Sequence, residues 1–237
     1  MTRQIIALGG GGFSVEPDNP LLDQYVLRCS GVLEPKVCFV ATAAGDSLTY
    51  IERFYTAFKR HHCAPTHLDL FRPSDWTLTP EQHLETADVL YFSGGNTRNA
   101  LALWREWKLL EPLRAAYERG AVFAGISAGA NAWFEQCTTD SLGPGTQVMA
   151  CLGWLSGSMT PHFDGEPERR PALHQALLEG RIKPGYAVDD YAALHFKDEA
   201  LHGVVTSRPG AGAYRVALEG TAVSETRLET QFLGAVE

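Results

Sequence analysis

Five apolar runs mark the first half of the chain, spaced widely enough for a helix between most neighbours. "QIIAL" (4–8), "KVCFVAT" (36–42), "THLDLF" (66–71), "VLYFSG" (89–94) and "AVFAGI" (121–126) read as nearly continuous apolar strands rather than alternating ones, the pattern of a sheet covered on both faces. Helical patterns fall near 20–30, 47–62, 80–87, 97–104 and 108–119. The alternation predicts an α/β fold with a doubly wound, mostly parallel sheet and flanking helices. Beyond residue 135 the rhythm changes: "SLGPGTQ" reads as a loop, 171–179 as a helix, and 185–236 as short strands separated by turns such as "RPGAG". These last strands are expected as hairpins extending the sheet's edge. No repeat or low-complexity linker divides the chain, so residues 1–237 are read as a single domain.

Composition narrows the function. At 45% hydrophobic, 237 residues bury a sizeable core. The net charge of −8 is spread along the chain, which argues against a nucleic-acid or anionic-lipid partner. "MTRQIIALGGGGF" is too short in apolar residues for a signal-peptide core or a membrane span, and a cytoplasmic location is expected. The five cysteines show no C-x-x-C spacing, so they are read as free thiols outside any disulfide framework or zinc site. His61, His62 and Cys63 are adjacent and point in different directions on a helix, which suits a polar helix end better than a metal site.

In a parallel sheet, ligands bind outside the carboxyl ends of the strands. Three such ends carry glycine. "GGGG" (9–12) resembles a phosphate-binding turn but opens no G-x-G-x-x-G register before a helix, so nucleotide binding is a weak reading. "SGGNTRN" (93–99) leads into a helix capped by Asn96 or Thr97 and can present backbone N–H groups. "GISAG" places Ser127 between an apolar strand and a small-residue helix at 128–134, the context of a nucleophile elbow. A serine capping a helix among glycines is the plainer alternative.

A serine nucleophile needs a base, and there are eight histidines. His162, in "GSMTPHFDGE", lies in a loop stiffened by proline and is the favoured base, with His195, in "AALHFKD", as its rival, although an alternating strand makes His195 read as a sheet residue. For the carboxylate that orients the imidazole, Asp189 and Asp190 end the run "GYAV", with Asp140, Asp164 and Glu166 as alternatives.

The ordered set "SGGNT", "GISAGAN", "PHF" and "AVDDYAAL", preceded by "ALGGGG", resembles the peptidase E family of serine peptidases and, more distantly, the cyanophycinases. The resemblance implies a fold like that of class I glutamine amidotransferases (flavodoxin-like), with serine at the elbow, and hydrolysis next to a free N-terminus with a preference for aspartyl residues. Carried over by motif, Ser127 is the nucleophile and His162 the base. Asp190 falls where peptidase E has the glutamate of its triad, and Asp140 and Asp189 stand as alternative acids. Gly94, Gly95 and Ala128 supply the oxyanion hole. Asn96, Arg98, Thr139, Arg169 and Arg170 are candidate substrate-binding residues. No cofactor or metal is implied; the expected partner is a small peptide, and a homodimer stays open. The competing readings are a non-catalytic amidotransferase-like binding protein and a cyanophycinase-like β-aspartyl peptidase.

Overall fold

The structure is a computed structural model that describes residues 1–234. Its strands are β1 (Gln4–Leu8), β2 (Lys36–Val40), β3 (Ala64–Leu68), β4 (Val89–Phe92), β5 (Val122–Ile126), β6 (Phe134–Thr139), β7 (Gln147–Ala150), β8 (Leu155–Thr160), β9 (Gly185–Val188), β10 (Ala192–Lys197), β11 (Ala200–Thr206), β12 (Ala213–Glu219), β13 (Ala222–Arg227) and β14 (Thr230–Phe232). The helices are α1 (Leu21–Cys29), α2 (Leu48–Phe58), α3 (Pro80–Thr86), α4 (Thr97–Glu106), α5 (Leu110–Glu118), α6 (Ala128–Asn131) and α7 (Arg169–Leu178). None of them is long and apolar enough to cross a membrane.

Two sheets form, where one was expected. The larger has the order β14-β11-β10-β1-β5-β4-β2-β3; its five strands from β1 to β3 run parallel. The smaller has the order β13-β12-β9-β8-β6-β7, with β6, β8 and β9 parallel. The β10–β11 hairpin does extend the edge of the parallel set, pairing antiparallel to β1. The strands β9, β12 and β13 instead join β6–β8, a correction to the single extended sheet. The pattern hid β6–β8 because "FEQCTT", "QVMA" and "LSGSMT" mix polar and apolar residues without a clean period. Residues 235 and 236 of the strand-rich segment lie outside the described residues.

The parallel sheet is packed on both faces, as its continuous apolar runs demand. One face holds Ile6, Leu8, Phe39, Tyr91 and Ala124 with Phe54 and Phe58 of α2. The other holds Phe92, Phe123, Trp104 and Trp133. Trp133 follows α6 and is fully buried, its ring 4.8 Å from Phe92, 5.0 Å from Phe123 and 4.9 Å from Trp154. Truncating a tryptophan this enclosed costs about 3–5 kcal/mol, so the segment after β5 is anchored immediately beyond the residues that shape the site.

The two sheets meet at their carboxyl ends. At residues 189–191 the chain leaves β9 of the smaller sheet and enters β10 of the larger, and Asp190 bridges to Gly10 just past β1. Residues after β1, β4, β5, β8 and β9 are thereby gathered on one side of the molecule.

Candidate active site

Ser127 follows β5 in a conformation that L-residues rarely adopt, φ 50° and ψ −104°, which costs on the order of 1–3 kcal/mol. The surrounding hydrogen bonds hold it there: its N–H donates to Leu8 O at 3.0 Å, and its carbonyl accepts from Ala130 and Asn131. From 121 to 134 it is the one residue that is not buried. Gly125 and Gly129 make the sharp turn possible by close approach. A β-carbon on Gly125 would run into the Gly129 backbone, and one on Gly129 would lie 2.6 Å from Phe92 O. The helix beyond is shorter than expected, a single turn from Ala128 to Asn131, because the chain re-enters a strand at Phe134. Although Ser127 occupies the cap position of α6, its side chain makes no capping hydrogen bond.

His162 also has positive φ, 52°. Its Nδ1 lies 2.6 Å from Asp190 Oδ1, which leaves Nε2 as the free ring nitrogen. The turn holding it is built locally, with Glu166 N–H donating to His162 O at 3.0 Å and Phe163 N–H to Val188 O at 3.1 Å. Asp190 is fixed from the other side, its N–H donating to Asp164 Oδ1 at 2.7 Å. No hydrogen bond joins Ser127 Oγ to His162 among the described residues.

The other carboxylates lie elsewhere. Asp189 turns the opposite way, its Oδ2 accepting from Gly212 N–H at 3.1 Å, and burial pushes its carboxyl up to about 6. Asp140 is 72% exposed and lies 3.9 Å from Arg169 Nη2. Glu166 pairs with Arg169 Nε at 2.6 Å. His195 is buried in β10 between Tyr25 OH, 2.7 Å from Nδ1, and Gln4 Oε1, 3.1 Å from Nε2; burial, helped by Lys197 and His202, lowers it to about 4. It is a neutral residue of the sheet.

Gly94 comes close to the serine, with the position of its missing β-carbon 3.7 Å from Ser127 Cβ. Burial pushes the Tyr50 phenol up, opposed by Ser14 and by the Gly94 backbone. The N–H groups of Gly95 and Ala128 have no acceptor among the described residues. The loop is braced from behind: Asn96 Oδ1 caps α4 by accepting from Asn99 N–H at 2.8 Å, and Thr97 N–H donates to Ser141 Oγ at 2.9 Å. Thr139 Oγ1 in turn donates to Ser141 Oγ at 2.7 Å. Asn96 and Thr139, expected at the substrate, thus have polar atoms engaged in supporting this loop.

Of the arginines, Arg98 is exposed. Arg170 is paired with Glu225 at 3.1 Å and lies 4.3 Å over the Phe163 ring. Arg169 is buried, donating to Glu166 and, at 3.3 Å, to Thr138 O. It ties the turn after His162 to β6.

Sequence reasoning missed the purpose of the glycine run. A β-carbon on Gly10 would collide with the Asp190 carboxylate and lie 2.9 Å from His162 Nδ1, and one on Gly165 would meet the same carboxylate from the other side. Within "GGGG", Gly10 makes room for a histidine–carboxylate pair, while Gly9 lies against the Val188–Asp189 backbone and Gly12 against Tyr91 and Asp23. The only signal was the run itself, since Asp190 lies 180 residues away.

The comparisons agree with this architecture. The chain is 51% identical over 232 residues, 98% of its length and 100% of the relative's, to the uncharacterized peptidase YgaJ of Bacillus subtilis. It is 31% identical to a peptidase E of Actinobacillus pleuropneumoniae over 126 residues, 49% of this chain and 53% of that one. Among solved structures, a peptidase from an acI-B1 Actinobacterium shares the fold with a TM-score of 0.73 at 18% identity, covering 97% of this chain and 95% of that one. Residues 5–204 match peptidase family S51, and the chain belongs to that family.

Proposed function

We propose that this peptidase is a serine-type exopeptidase that removes the N-terminal residue from dipeptides and short peptides through an acyl-enzyme. The observation that carries the reading is the backbone of Ser127, held at φ 50° and ψ −104° with no capping hydrogen bond from its hydroxyl. A serine kept only to cap a helix accepts from the first turn and needs no strained backbone. A nucleophile at an elbow needs both the strain and the free hydroxyl.

In the proposed mechanism, Ser127 Oγ attacks the scissile carbonyl as His162 Nε2 takes its proton. Asp190, on Nδ1, holds the imidazole in the required tautomer and stabilises the imidazolium. The N–H groups of Ala128 and Gly95, with Gly94 beside them, face the developing oxyanion; losing one such donor typically costs about 2.7–4 kcal/mol of transition-state stabilisation. His162 then protonates the leaving amine, and water, deprotonated by the same ring, releases the acyl group.

We further propose that an acidic N-terminal side chain is not required. Arg169 is already compensated by Glu166 and Arg170 by Glu225, so a substrate carboxylate at either has to displace an existing partner rather than fill an empty fork, and Arg98, beside "SGGNT", is exposed to water, where an ion pair contributes little. The test is labelling by a serine-directed fluorophosphonate together with hydrolysis of Asp-, Ala- and Leu-leading dipeptides, α- and β-linked. Labelling that is lost in Ser127→Ala, with cleavage of α-linked dipeptides, supports the proposal. Absence of labelling points to a binding protein, and cleavage restricted to β-aspartyl peptides to a cyanophycinase-like enzyme.

A further inference from the structure

The five cysteines are spread through the sequence without a recognisable pairing motif, yet folding brings two of them together. Cys137 lies in β6 and Cys151 just past β7, the antiparallel neighbour. In that register Cys137 faces Met149, and Cys151 N–H donates to Glu135 O at 2.9 Å. The two cysteines are therefore diagonal neighbours on one face of the ladder, and their Sγ atoms are 3.5 Å apart. This is the only sulfur–sulfur contact among the described residues. A disulfide needs about 2.05 Å between sulfurs and Cα atoms within about 7 Å, and diagonal neighbours lie at about 7–8 Å, so closure asks for a side-chain adjustment together with a small shift of the end of β7 toward β6.

The thiols are not equivalent. Cys137 is fully buried, whereas Cys151 is partly exposed. The neighbouring Cys151 thiol, then burial, holds Cys137 well above the ordinary thiol range. An oxidant from solvent meets Cys151 first, with Cys137 directly behind it.

We propose that Cys137 and Cys151 form a dithiol site that hydroperoxides convert to a reversible intrachain disulfide. In the first step the Cys151 thiolate attacks a peroxide oxygen; the O–O bond breaks, the sulfur becomes a sulfenic acid, and the peroxide leaves as water or an alcohol after taking a proton. In the second, Cys137 Sγ gives up its proton and attacks the sulfenic sulfur, forming the S–S bond and releasing water. The two thiols lose two electrons in all, and the peroxide is reduced. The chain between them carries Thr138 and Thr139 of β6 and Ser141 of the turn that follows, which hold Arg169 and the N-terminus of α4. The cross-link thus fastens the base of a hairpin that braces the glycine loop beside Ser127.

The test reads mass and thiol content and is independent of any hydrolytic activity. Folded wild-type protein is treated with hydrogen peroxide, denatured, alkylated with iodoacetamide and digested with trypsin. No Lys or Arg separates the two cysteines, so both fall in the fragment 120–169. The expected result is that this fragment escapes alkylation and weighs about 2 Da less than its dithiol form, and that dithiothreitol restores both reactive thiols. In Cys151→Ala, Cys137 should remain alkylatable after the same treatment. Full alkylation of the wild-type fragment, arrest of Cys151 at the sulfinic acid, or a dimer cross-linked through Cys151 overturns the proposal.

Discussion

Gly10 and Asp190 face each other across a single parallel bridge, and the Asp190 carboxylate occupies the space a β-carbon on residue 10 would need. The contact joins the carboxyl end of β1 in one sheet to that of β9 in the other. It also brings His162 against the backbone, since its Nδ1 is the atom that Asp190 Oδ1 meets at 2.6 Å. Close packing of a histidine–carboxylate pair onto bare backbone restricts both side chains without requiring a further hydrogen bond.

Gly10→Ala is therefore expected to lower kcat by at least about 10²-fold, the scale on which misplacing a catalytic group by an ångström acts, while the protein stays folded. Gly203→Ala is the control, because a β-carbon there meets nothing within 4 Å. Steady-state rates and circular dichroism on both variants check this; equal activity in Gly10→Ala would show that the pair tolerates displacement.

Ser127→Ala should remove nearly all hydrolysis, by about 10⁴–10⁶-fold in kcat, and His162→Ala should be about as damaging, since members of one catalytic unit are far from additive. Asp190→Asn should follow with a loss near 10⁴-fold. Asp140→Asn, at an exposed side chain, should have little effect on kcat, and Asp189→Asn should act through stability instead. A double variant Ser127→Ala/His162→Ala no slower than either single variant is the expected signature. Additive losses would mean that the two residues do not act together.

How far the sequence could anticipate all this depended on distance along the chain. β1, β2, β4 and β5 were legible because each is a local apolar run, and Ser127 because its elbow is encoded within five residues; β3 was read at 66–71 but lies at Ala64–Leu68, an edge strand of mixed polarity buried only at Leu68. The smaller sheet was illegible, since its strands are short, mixed in polarity and paired across long separations, as β6 is with β8 and β12 with β9. Mixed polarity in β6 and β7 hid the Cys137–Cys151 contact, only 14 residues apart, and long separation hid the true neighbours of Gly10. Thr139 and Asn96 look like ligand-facing residues in sequence because polar residues near a glycine loop suggest binding. Here they supply the hydrogen bonds that the loop's own backbone needs.

Asp23 gives the fold a pH dependence unrelated to hydrolysis. It is buried beneath the glycine run and accepts from Tyr91 OH at 2.9 Å. Burial pushes its carboxyl up to about 7, well above an unfolded aspartate. The folded chain therefore binds the extra proton between roughly pH 4 and pH 7. The stability this site contributes is complete below that window and is lost as pH rises through it. Asp46 and Asp189, raised to about 7 and about 6, act in the same direction. His195, lowered to about 4, acts in the opposite one. Asp23→Asn removes one ionisation without removing the acceptor for Tyr91. It should raise Tm at pH 8 relative to wild type by more than at pH 5, and thermal melts at the two pH values measure the difference. An equal shift at both would mean that Asp23 does not ionise within the window.

Arg169 decides between two accounts of specificity. Its side chain is only 4% exposed, and its nearest partner, Glu166, lies on the turn whose N–H donates to His162 O. A buried arginine so engaged is a positioning residue for the His162 turn. Removing it leaves Thr138 O with Asn131 Nδ2 alone, 3.4 Å away, and turns Glu166, already 45% exposed, to solvent, a loss on the order of 1–3 kcal/mol. The effect on hydrolysis should then be common to all substrates: in Arg169→Lys, which keeps a charge but loses the fork, kcat for Asp-, Ala- and Leu-leading dipeptides should fall by similar factors with KM little changed. An arginine that reads the substrate predicts something else, a rise in KM confined to Asp-leading peptides with uncharged ones untouched. Measuring kcat and KM separately on the three dipeptides distinguishes the two, and Arg170→Ala, whose partner Glu225 lies on β13, should leave all three unchanged. A selective loss on Asp-leading substrates in Arg169→Lys would reverse the assignment and make an acidic N-terminal residue the preferred one.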